Sequence, residues 1–452
     1  MEANTLEELI KKGEIDTVLV VFPDLYGRLM GKRVTGHYFL DEMVDGEGMH
    51  ACNYLLAIDT DMEPLPGYRF ASWETGYPDL NARPDMGTIR LIPWLEKTAL
   101  VLCDLFTEEG AVVDVAPREI LKQQVAKAKK LGYTIKFGAE LEFYLFRDSY
   151  EEAAAKNYRD LVPHSNFNED YHILQTSRDE YLIRQIRNGM DAAEVPVEFS
   201  KGEAGKGQHE INLEYAEPVE MADRLVVYKN GAKEIAAING RAITFMAKAS
   251  MTESGSSLHI HSSLWDKAGK KPLDWDEKKP EHMSAVFGSY LAGLMSTARE
   301  MAWMYAPFVN SYKRYQPGWW APTAICWDHD NRTVGYRVVG HGPSFRVECR
   351  IPGADANPYL AFAATIAGGL HGIEAKLKAE PRRPGNGYEA EGVPRVPWNI
   401  VEAADELDKS RVAKQAFGDD VHYHLVNTAR QEWARSNQVI TDWELRRNFE
   451  LA

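Results

Sequence analysis

The sequence has few cysteines and no motif built from them. Four occur in 452 residues, far apart and without CxxC spacing: Cys52, Cys103, Cys326 and Cys349. This pattern excludes a disulfide framework and a zinc knuckle, and it is typical of thiols kept in a reducing compartment. The first residues also lack the basic and apolar regions of a signal peptide, so we expect a cytoplasmic protein.

Positive charge is scarce as well. Lysine and arginine total 52 against 67 aspartates and glutamates, which gives a net charge of −15. Such a chain is repelled by phosphate backbones and anionic lipids, so neither nucleic acid nor a membrane is expected as a partner. No apolar run approaches the roughly 18 residues that span a bilayer. The sequence also lacks a GxxxxGK[ST] motif and the kinase HRD and DFG motifs, which excludes P-loop and protein-kinase nucleotide sites.

The remaining composition is that of a soluble globular enzyme, and the length allows two domains. Short β-branched runs at 15–24 and 98–106 predict buried strands, with loops over 60–87 between them. Strands then alternate irregularly with longer helical patterns, which indicates an α+β fold. We place the domain boundary after residue 108, so that the domains cover 1–108 and 109–452.

The helical patterns that we single out lie in the second domain. The first begins at Pro117, because proline is favoured at the first helical position, and ends at Gly132. Three others follow at 217–239, 280–305 and 357–379. We expect a Pro/Gly-rich surface loop at 380–398 and three helical segments after it.

Two carboxylates share an apolar run, FGAELEFYLF at 137–146. Successive strand side chains point to opposite faces, so Glu140 and Glu142 leave the same face of a strand. Neighbouring carboxylates in a low dielectric repel each other unless a positive group lies between them. The run therefore predicts a cation at this face.

Three further stretches place polar side chains in the same way. They contribute these residues: Glu203 and Glu210 in EAGKGQHEINL, His259 and His261 in GSSLHIHSSL, and Arg346, Glu348 and Arg350 in FRVECRI. Carboxylates with an imidazole suit Mg²⁺ or Mn²⁺, and this set has room for two cations. The alternative for each stretch taken alone is a solvated strand face.

Arginines form a second group: Arg314, Arg332, Arg337, Arg346 and Arg350. Guanidinium groups bind phosphate and carboxylate in bidentate fashion. Several of them beside a carboxylate–metal cluster indicate phosphoryl transfer. The alternative is a structural network of arginines and glutamates.

These motifs, taken in order, resemble the glutamine synthetase family of type I over essentially the whole chain. The matching stretches are the Asp45-Gly46 loop, GAELEF, EAGKGQHEI, GSSLHIHSSL, NSYKRYQPG, DNRTVGYR and RVECRIPGADANPYL. The resemblance implies a small β-grasp-like N-terminal domain and a large catalytic domain with an antiparallel sheet and helices. It also implies ATP, two or more Mg²⁺ or Mn²⁺ ions, and active sites between the subunits of a ring, typically a dodecamer.

The resemblance also implies a role for individual residues. Glu142, Glu203 and Glu210 match the ligands of one metal, and Glu140, His259 and Glu348 match those of a second. ATP contacts are matched by Tyr215, His261, Ser263, Arg337 and Arg346. Glutamate contacts are matched by Gly255, Arg314 and Arg350. Arg332 matches the arginine over the transferring phosphoryl group, Asp45 the acid that a neighbouring subunit offers to the amine, and Tyr171 a residue of the amine pocket.

In this family ATP phosphorylates the γ-carboxylate of L-glutamate, and a nitrogen nucleophile then displaces phosphate to give an amide. Members that use ammonia carry a glutamate on the flap between PG and AP, where this sequence reads RYQPGWWAP, with Trp320 at the acid's position. An indole cannot accept a proton, but it offers a large apolar surface. We therefore predict an organic amine as substrate and a γ-glutamylamide as product.

Other functions stay open at this point. Ammonia remains possible if Trp320 only packs the flap, and a polyamine remains possible if Glu47 pairs with its second ammonium. A non-catalytic scaffold of the same fold is a remote alternative, as is a kinase or phosphatase that releases the acyl phosphate. The sequence does not distinguish among amines or between Mg²⁺ and Mn²⁺.

Overall fold

The computed structural model describes residues 1, 3–44 and 48–452. Its N-terminal part contains a six-stranded sheet with the order β2-β1-β6-β4-β3, and β5 pairs with β6. The strands are β1 (Thr17–Pro23), β2 (Leu29–Thr35), β3 (Met49–Cys52), β4 (Asp79–Pro84), β5 (Arg90–Leu91) and β6 (Thr98–Thr107). β1 and β6, the two predicted strands, lie parallel at the centre of the sheet and are buried along most of their length.

The prediction of loops throughout 60–87 was wrong at its end, because β4 lies there. The sequence of β4, DLNARP, has little strand propensity and ends in proline. The strand forms because it pairs with β3 on one side and β6 on the other. Tertiary pairing, rather than a local pattern, determines this element.

The larger sheet carries the four polar stretches. Its order is β12-β13-β14-β11-β7-β9-β8, with β10 paired to β7. The strands are β7 (Tyr133–Phe146), β8 (Val197–Gly202), β9 (Gln208–Ala216), β10 (Ala242–Thr244), β11 (Leu258–Asp266), β12 (Trp327–His329), β13 (Tyr336–Val339) and β14 (Arg346–Cys349). Only β12 and β13 run parallel among the described strand pairs of this sheet, so the predicted antiparallel architecture is confirmed.

The helices pack mainly against one another, and some of them pack against the two sheets. They are α1 (Ala3–Lys11), α2 (Gly36–Tyr38), α3 (Pro117–Lys130), α4 (Tyr150–Ala155), α5 (Ile173–Thr176), α6 (Glu180–Ala192), α7 (Pro218–Ile238), α8 (Ala285–Thr297), α9 (Ala302–Tyr305), α10 (Pro358–Glu374), α11 (Ile400–Lys409), α12 (Arg411–Phe417), α13 (Asp419–Ser436) and α14 (Asp442–Asn448). Short 3₁₀ helices lie at Asn53–Leu56, Met86–Thr88, Pro280–His282, Ser311–Arg314, Gly342–Ser344 and Gly387–Glu389, and a π-helical turn lies at Phe39–Met43.

The predicted helices at 117, 217–239 and 357–379 are confirmed by α3, α7 and α10. The pattern at 280–305 is split, because α8 ends at Thr297 and the short α9 follows. From residue 400 onward, where every residue is described, there are four helices instead of the predicted three. Ser410 separates α11 from α12, since its Oγ accepts a hydrogen bond from the Ala413 amide at 2.9 Å and caps the second helix.

The alternation along β7 places the two glutamates on the face of the strand opposite the hydrophobic core. Phe137, Ala139, Leu141 and Phe143 are buried. The Phe137 ring stacks on Phe362 of α10, with ring centroids 4.4 Å apart. The intervening residues, including both glutamates, therefore face away from the helices.

The predicted boundary between residues 108 and 109 lies in the turn between β6 and α3. One hydrophobic core runs through both parts. Asn357 ties them further, because its Nδ2 donates to the carbonyls of Asp24 and Leu25 at 3.1 and 3.0 Å. The division into two domains remains a prediction. In the described part of the chain, no helix is long and apolar enough to cross a membrane.

Candidate active site

The four polar stretches lie side by side in the larger sheet, in the order β14, β11, β7, β9. The register brings their charged residues into facing pairs across neighbouring strands: Glu140 with His259, Glu142 with Glu210, His261 with Glu348, and Glu348 with Arg337. Side chains that face each other on antiparallel strands lie within contact distance. The sheet thus gathers residues from distant parts of the sequence on one face.

Three glutamates form the most acidic part of this face. Glu142, Glu203 and Glu210 each offer an oxygen within 4.8 Å of the others. Burial and the charge of Glu203 raise the pKa of Glu142 to about 8. Burial, together with the charges of the neighbouring glutamates, raises the pKa of Glu210 well above its usual range. These carboxyls therefore need a cation if they are to ionise at neutral pH.

Glu140 lies between two imidazoles. The Arg346 Nε donates to Nδ1 of His261 at 3.1 Å, so the Nε2–H of His261 donates to Glu140 at 3.0 Å. His259 Nδ1 lies 3.1 Å from the other oxygen of Glu140. Although burial raises the pKa of Glu140, these contacts hold it well below its usual range. Glu140 is therefore an ionised carboxylate.

The donor set fits divalent metal ions. The Nε2 atom of His259 is buried and has no hydrogen-bond partner among the described residues. Burial lowers the pKa of His259 to about 4, so the imidazole is neutral and able to ligate. Carboxylate oxygens with one imidazole are ligands suited to Mg²⁺ or Mn²⁺. Glu348 completes the set, and its pKa is about 2, because Arg350 and the histidines outweigh the effect of burial.

Two cavities meet at Glu140. The first, of about 480 Å³, contains four of the residues predicted to contact ATP, namely Tyr215, His261, Ser263 and Arg346. The second, of about 280 Å³, contains Glu142, Glu203, Glu210 and His259 together with Gly255, Arg314, Arg332, Arg337 and Arg350. Glu140 lines both. Arg337, predicted to contact ATP, lines the second cavity rather than the first.

The arginines of the second cavity differ in the number of hydrogen bonds and ion pairs that they make within the protein. Arg314 is buried, and its Nη atoms donate to the Ile351 and Arg350 carbonyls and to Ser257 Oγ at 2.7–3.0 Å. Arg337 donates to Glu348 at 2.9 Å. Arg332 is exposed and makes no hydrogen bond or ion pair with any described residue, so its guanidinium is free to meet a ligand.

The model of the glutamine synthetase catalytic domain matches residues 114–448. The chain belongs to the glutamine synthetase family. The predicted family and α+β fold are thereby confirmed.

Two curated relatives match along nearly their full length. The γ-glutamylethanolamide synthetase GlnA4 of Streptomyces coelicolor is 49% identical over 98% of this chain and 95% of its own. The glutamate–isopropylamine ligase of a Pseudomonas species is 38% identical over 99% of this chain and 97% of its own. A solved structure titled as the GmaS/ADP complex superimposes with a TM-score of 0.86 at 26% identity, covering 98% of this chain and 99% of that one.

The flap of this glutamine synthetase family member carries two tryptophans at the second cavity. Lys248 Nζ lies 4.0 Å from the centre of the Trp319 ring. Trp320 is 55% exposed and has a φ of +62°, a backbone conformation that is unusual for a bulky residue. Both side chains line the cavity, so aromatic surface forms part of its wall.

Tyr171 lines the same cavity from another loop and has a φ of +55°. The Nζ of Lys201 lies 4.5 Å from its ring centre. Asp45, predicted to receive the amine proton, lies outside the described residues. Gly255 has no room for a side chain, because a Cβ would lie 2.6 Å from the Ala247 carbonyl and 2.7 Å from Arg314 Cγ.

Several residues that hold the site together were not predicted. Gln208 Nε2 donates to Glu142 at 3.0 Å, and the Ser257 amide donates to the same oxygen at 2.8 Å. Lys201 pairs with Glu203 and faces Glu210 across β8 and β9. Lys136 lies 3.9 Å from the Trp265 ring centre in the first cavity. Of these residues, only Lys201 had a signal in the sequence: it lies two positions before Glu203, so strand geometry would place both side chains on the same face.

Proposed function

We propose that this protein is an ATP-dependent ligase that joins the γ-carboxylate of L-glutamate to an organic amine. The reaction passes through γ-glutamyl phosphate and gives a γ-glutamylamide, ADP and phosphate. The observation that carries the proposal is the junction of the two cavities at Glu140, with four of the five predicted ATP contacts on one side and the predicted glutamate contacts on the other. A phosphoryl donor and its acceptor carboxylate can meet only at such a junction.

The first step requires two anions to come within bonding distance. Metal ions held by Glu142, Glu203 and Glu210 and by Glu140, His259 and Glu348 would neutralise part of that charge. Arg332 is free to bind the transferring phosphoryl group, and Arg350, which lines the same cavity, would contact the glutamate substrate. The γ-carboxylate oxygen attacks the terminal phosphorus of ATP, and the bond to ADP breaks.

The second step requires an amine without its extra proton. The amine nitrogen attacks the γ-carbonyl carbon, phosphate departs with the former carboxylate oxygen, and the amine loses a proton. Asp45 of a neighbouring subunit is proposed to accept it. Trp320 and Tyr171 line the cavity and offer aromatic surface to the carbon body of an amine. The names of the two curated relatives, which specify an ethanolamide and isopropylamine, support an organic amine over ammonia and over a polyamine.

The role of Asp45 requires a homo-oligomer, and we propose a ring, typically dodecameric in this family. The described surface supports assembly, because the C-terminal segment 439–451 exposes a series of large apolar residues: Val439, Ile440, Trp443, Leu445, Phe449 and Leu451. Contiguous exposed apolar residues are typical of subunit contacts.

An oxygen-label experiment tests the ligase function. The enzyme is supplied with glutamate carrying ¹⁸O in its γ-carboxylate, with ATP, Mg²⁺ and isopropylamine, and the products are analysed by mass. We expect one ¹⁸O in the phosphate and one in a γ-glutamylisopropylamide. Phosphate without label would contradict the acyl phosphate. Labelled phosphate without an amide would indicate a kinase or phosphatase, and the absence of both labelled phosphate and ADP would indicate a scaffold.

A further inference from the structure

A second group of buried ligating side chains lies behind the catalytic sheet. Glu169, Asp179 and His209 each offer an atom within 4.8 Å of the others. The Nε2 of His209 lies 2.9 Å from Asp179 Oδ2 and 3.4 Å from Glu169 Oε2. His209 precedes Glu210 on β9, so the two side chains point to opposite faces of the sheet. This group is therefore separate from the proposed catalytic metal sites.

In this group, the burial of Glu169 is not compensated by hydrogen bonds. Its side chain is fully buried, and neither carboxylate oxygen has a hydrogen-bond donor among the described residues. Burying a carboxylate without a partner is strongly unfavourable. Two imidazoles lie near it, but the Nε2 of His209 is closer to Asp179 than to Glu169, and the Nδ1 of His164 also contacts Asp179. The carboxylate is thus directed into the cluster without a counter-charge of its own.

A purely hydrogen-bonded network accounts for the other members. Asp179 contacts His209 through one oxygen and His164 Nδ1 through the other. Such an Asp between two imidazoles needs no metal. Glu169 would then have to be held as a neutral acid, and its oxygens still accept no hydrogen bond from any described residue. A bound cation would compensate the buried charge, because it can contact the carboxylates of Glu169 and Asp179 at the same time.

We propose that Glu169, Asp179 and His209 bind one divalent transition-metal ion of the zinc class. Two carboxylates and one imidazole form a three-ligand set that suits Zn²⁺, with a fourth position for water or for His164. Mg²⁺ and Ca²⁺ are less suitable, because they prefer six or more oxygen ligands. Its three ligands are distinct from those of the proposed catalytic metals, and its occupancy does not require the proposed function to be correct.

The site has a structural consequence for the catalytic face. The Glu169 amide donates to the Glu203 carbonyl at 3.3 Å, and Asp170 forms a β-bridge with Gly202. A Cβ at Gly202 would lie 2.4 Å from the Glu169 carbonyl, so the two segments are in close contact. A metal on Glu169 would fix the loop that carries Tyr171 against the end of β8, next to Glu203. It would thus position one catalytic ligand and one wall of the amine cavity.

Metal analysis of the full-length protein tests the site. Protein from zinc-supplemented medium is desalted into metal-free buffer and analysed for bound metal. We expect about one zinc per chain in the wild type and a loss of at least tenfold in Glu169→Gln. The matched control is Glu210→Gln, one residue from His209 on the opposite face, which should retain its zinc. Replacement by Co²⁺ should give the intense visible absorption of a four-coordinate site in the wild type and in Glu210→Gln.

Three results would overturn the proposal. Wild-type protein without zinc, and without a rise in melting temperature on adding Zn²⁺, would show that the cluster holds a proton instead. Equal zinc in Glu169→Gln and the wild type would place the metal elsewhere. Loss of zinc in Glu210→Gln alone would assign it to the catalytic face. If Glu169→Gln does not fold, the metal content and Co²⁺ spectra of the wild type and of Glu210→Gln still show whether a zinc site exists away from the catalytic face.

Discussion

Trp320 is the residue whose chemistry most directly concerns the choice of amine. It lines the second cavity, and its backbone adopts a positive φ. A non-glycine residue in this region costs free energy, so the surrounding structure must hold it there. An indole attracts a cation by about 1–2 kcal/mol, whereas a carboxylate interacts with the full charge of ammonium and can also accept its proton.

Replacement of Trp320 by glutamate should therefore move the preference towards ammonia. We expect the ratio of kcat/KM for ammonia to that for isopropylamine to rise about tenfold, which corresponds to about 1.4 kcal/mol. Steady-state rates with the two substrates measure this ratio. Trp398→Glu is the control, because Trp398 is exposed to a similar extent and does not line either cavity. An unchanged ratio in Trp320→Glu would mean that the indole only packs the flap.

Gly255 provides a second test at the scale of single residues. Because an added Cβ would lie within 2.7 Å of both the Ala247 carbonyl and the Arg314 side chain, Gly255→Ala must displace one of them. Overpacking of this kind costs about 1–3 kcal/mol. We expect the KM for glutamate to rise at least tenfold.

The matched control is Gly288→Ala on α8, where the nearest atom to an added Cβ is Met283 Sδ at 3.4 Å. Alanine is a better helix former than glycine, so this variant should keep its activity and gain up to about 1 kcal/mol of stability. A normal KM in Gly255→Ala would show that the Arg314 position does not affect glutamate binding.

At the scale of elements, strand alternation made much of the catalytic face predictable. Period-two placement of Glu140 with Glu142, and of His259 with His261, follows from strand geometry alone. The sequence did not reveal which strands are neighbours, because pairing depends on contacts between distant segments. The register that sets Glu142 opposite Glu210 is therefore information that only the structure supplies.

Other elements were missed for identifiable reasons. β4 has no strand pattern of its own and depends on its neighbours, and Ser410 divides one helical pattern into two helices. The buried cluster around Glu169 combines residues from two loops and β9, with no spacing that links them. The sequence patterns predicted local geometry well, but they could not predict contacts between loops that are distant in the sequence.

The contact of α13 with the N-terminal part carries a pH-dependent contribution to stability. His424 on α13 donates through Nε2 to the Leu56 carbonyl at 2.8 Å and is buried. Burial lowers its pKa from 6.5 to about 4. Between these values the unfolded chain binds a proton that the folded chain does not, so stability falls as the pH drops from 6.5 towards 4.

His424→Gln should reduce this pH dependence. The glutamine amide can still donate to the Leu56 carbonyl but does not titrate. Relative to pH 7, we expect the wild type at pH 5 to lose about 2 kcal/mol more free energy of unfolding than the variant does. Urea midpoints at the two pH values measure this difference. Parallel losses in the two proteins would show that His424 is not protonated on unfolding.

At the scale of the whole molecule, activity should depend on assembly, since Asp45 is proposed to act from a neighbouring subunit. Phe449 and Trp443 are exposed in the C-terminal segment. The double variant Phe449→Asp and Trp443→Glu should lower the mass of the particle measured by sedimentation, and activity should fall in parallel. Trp398→Glu again serves as the control. A fully active monomer would contradict a site shared between subunits.

Competition between amines tests the central claim most directly. The enzyme receives glutamate, ATP and Mg²⁺ with ammonium, ethanolamine and isopropylamine at equal concentration, and the products are identified by mass. An active site with aromatic surface and no acid on its flap should give mainly a γ-glutamylamide of one of the organic amines. Glutamine as the main product would contradict the account.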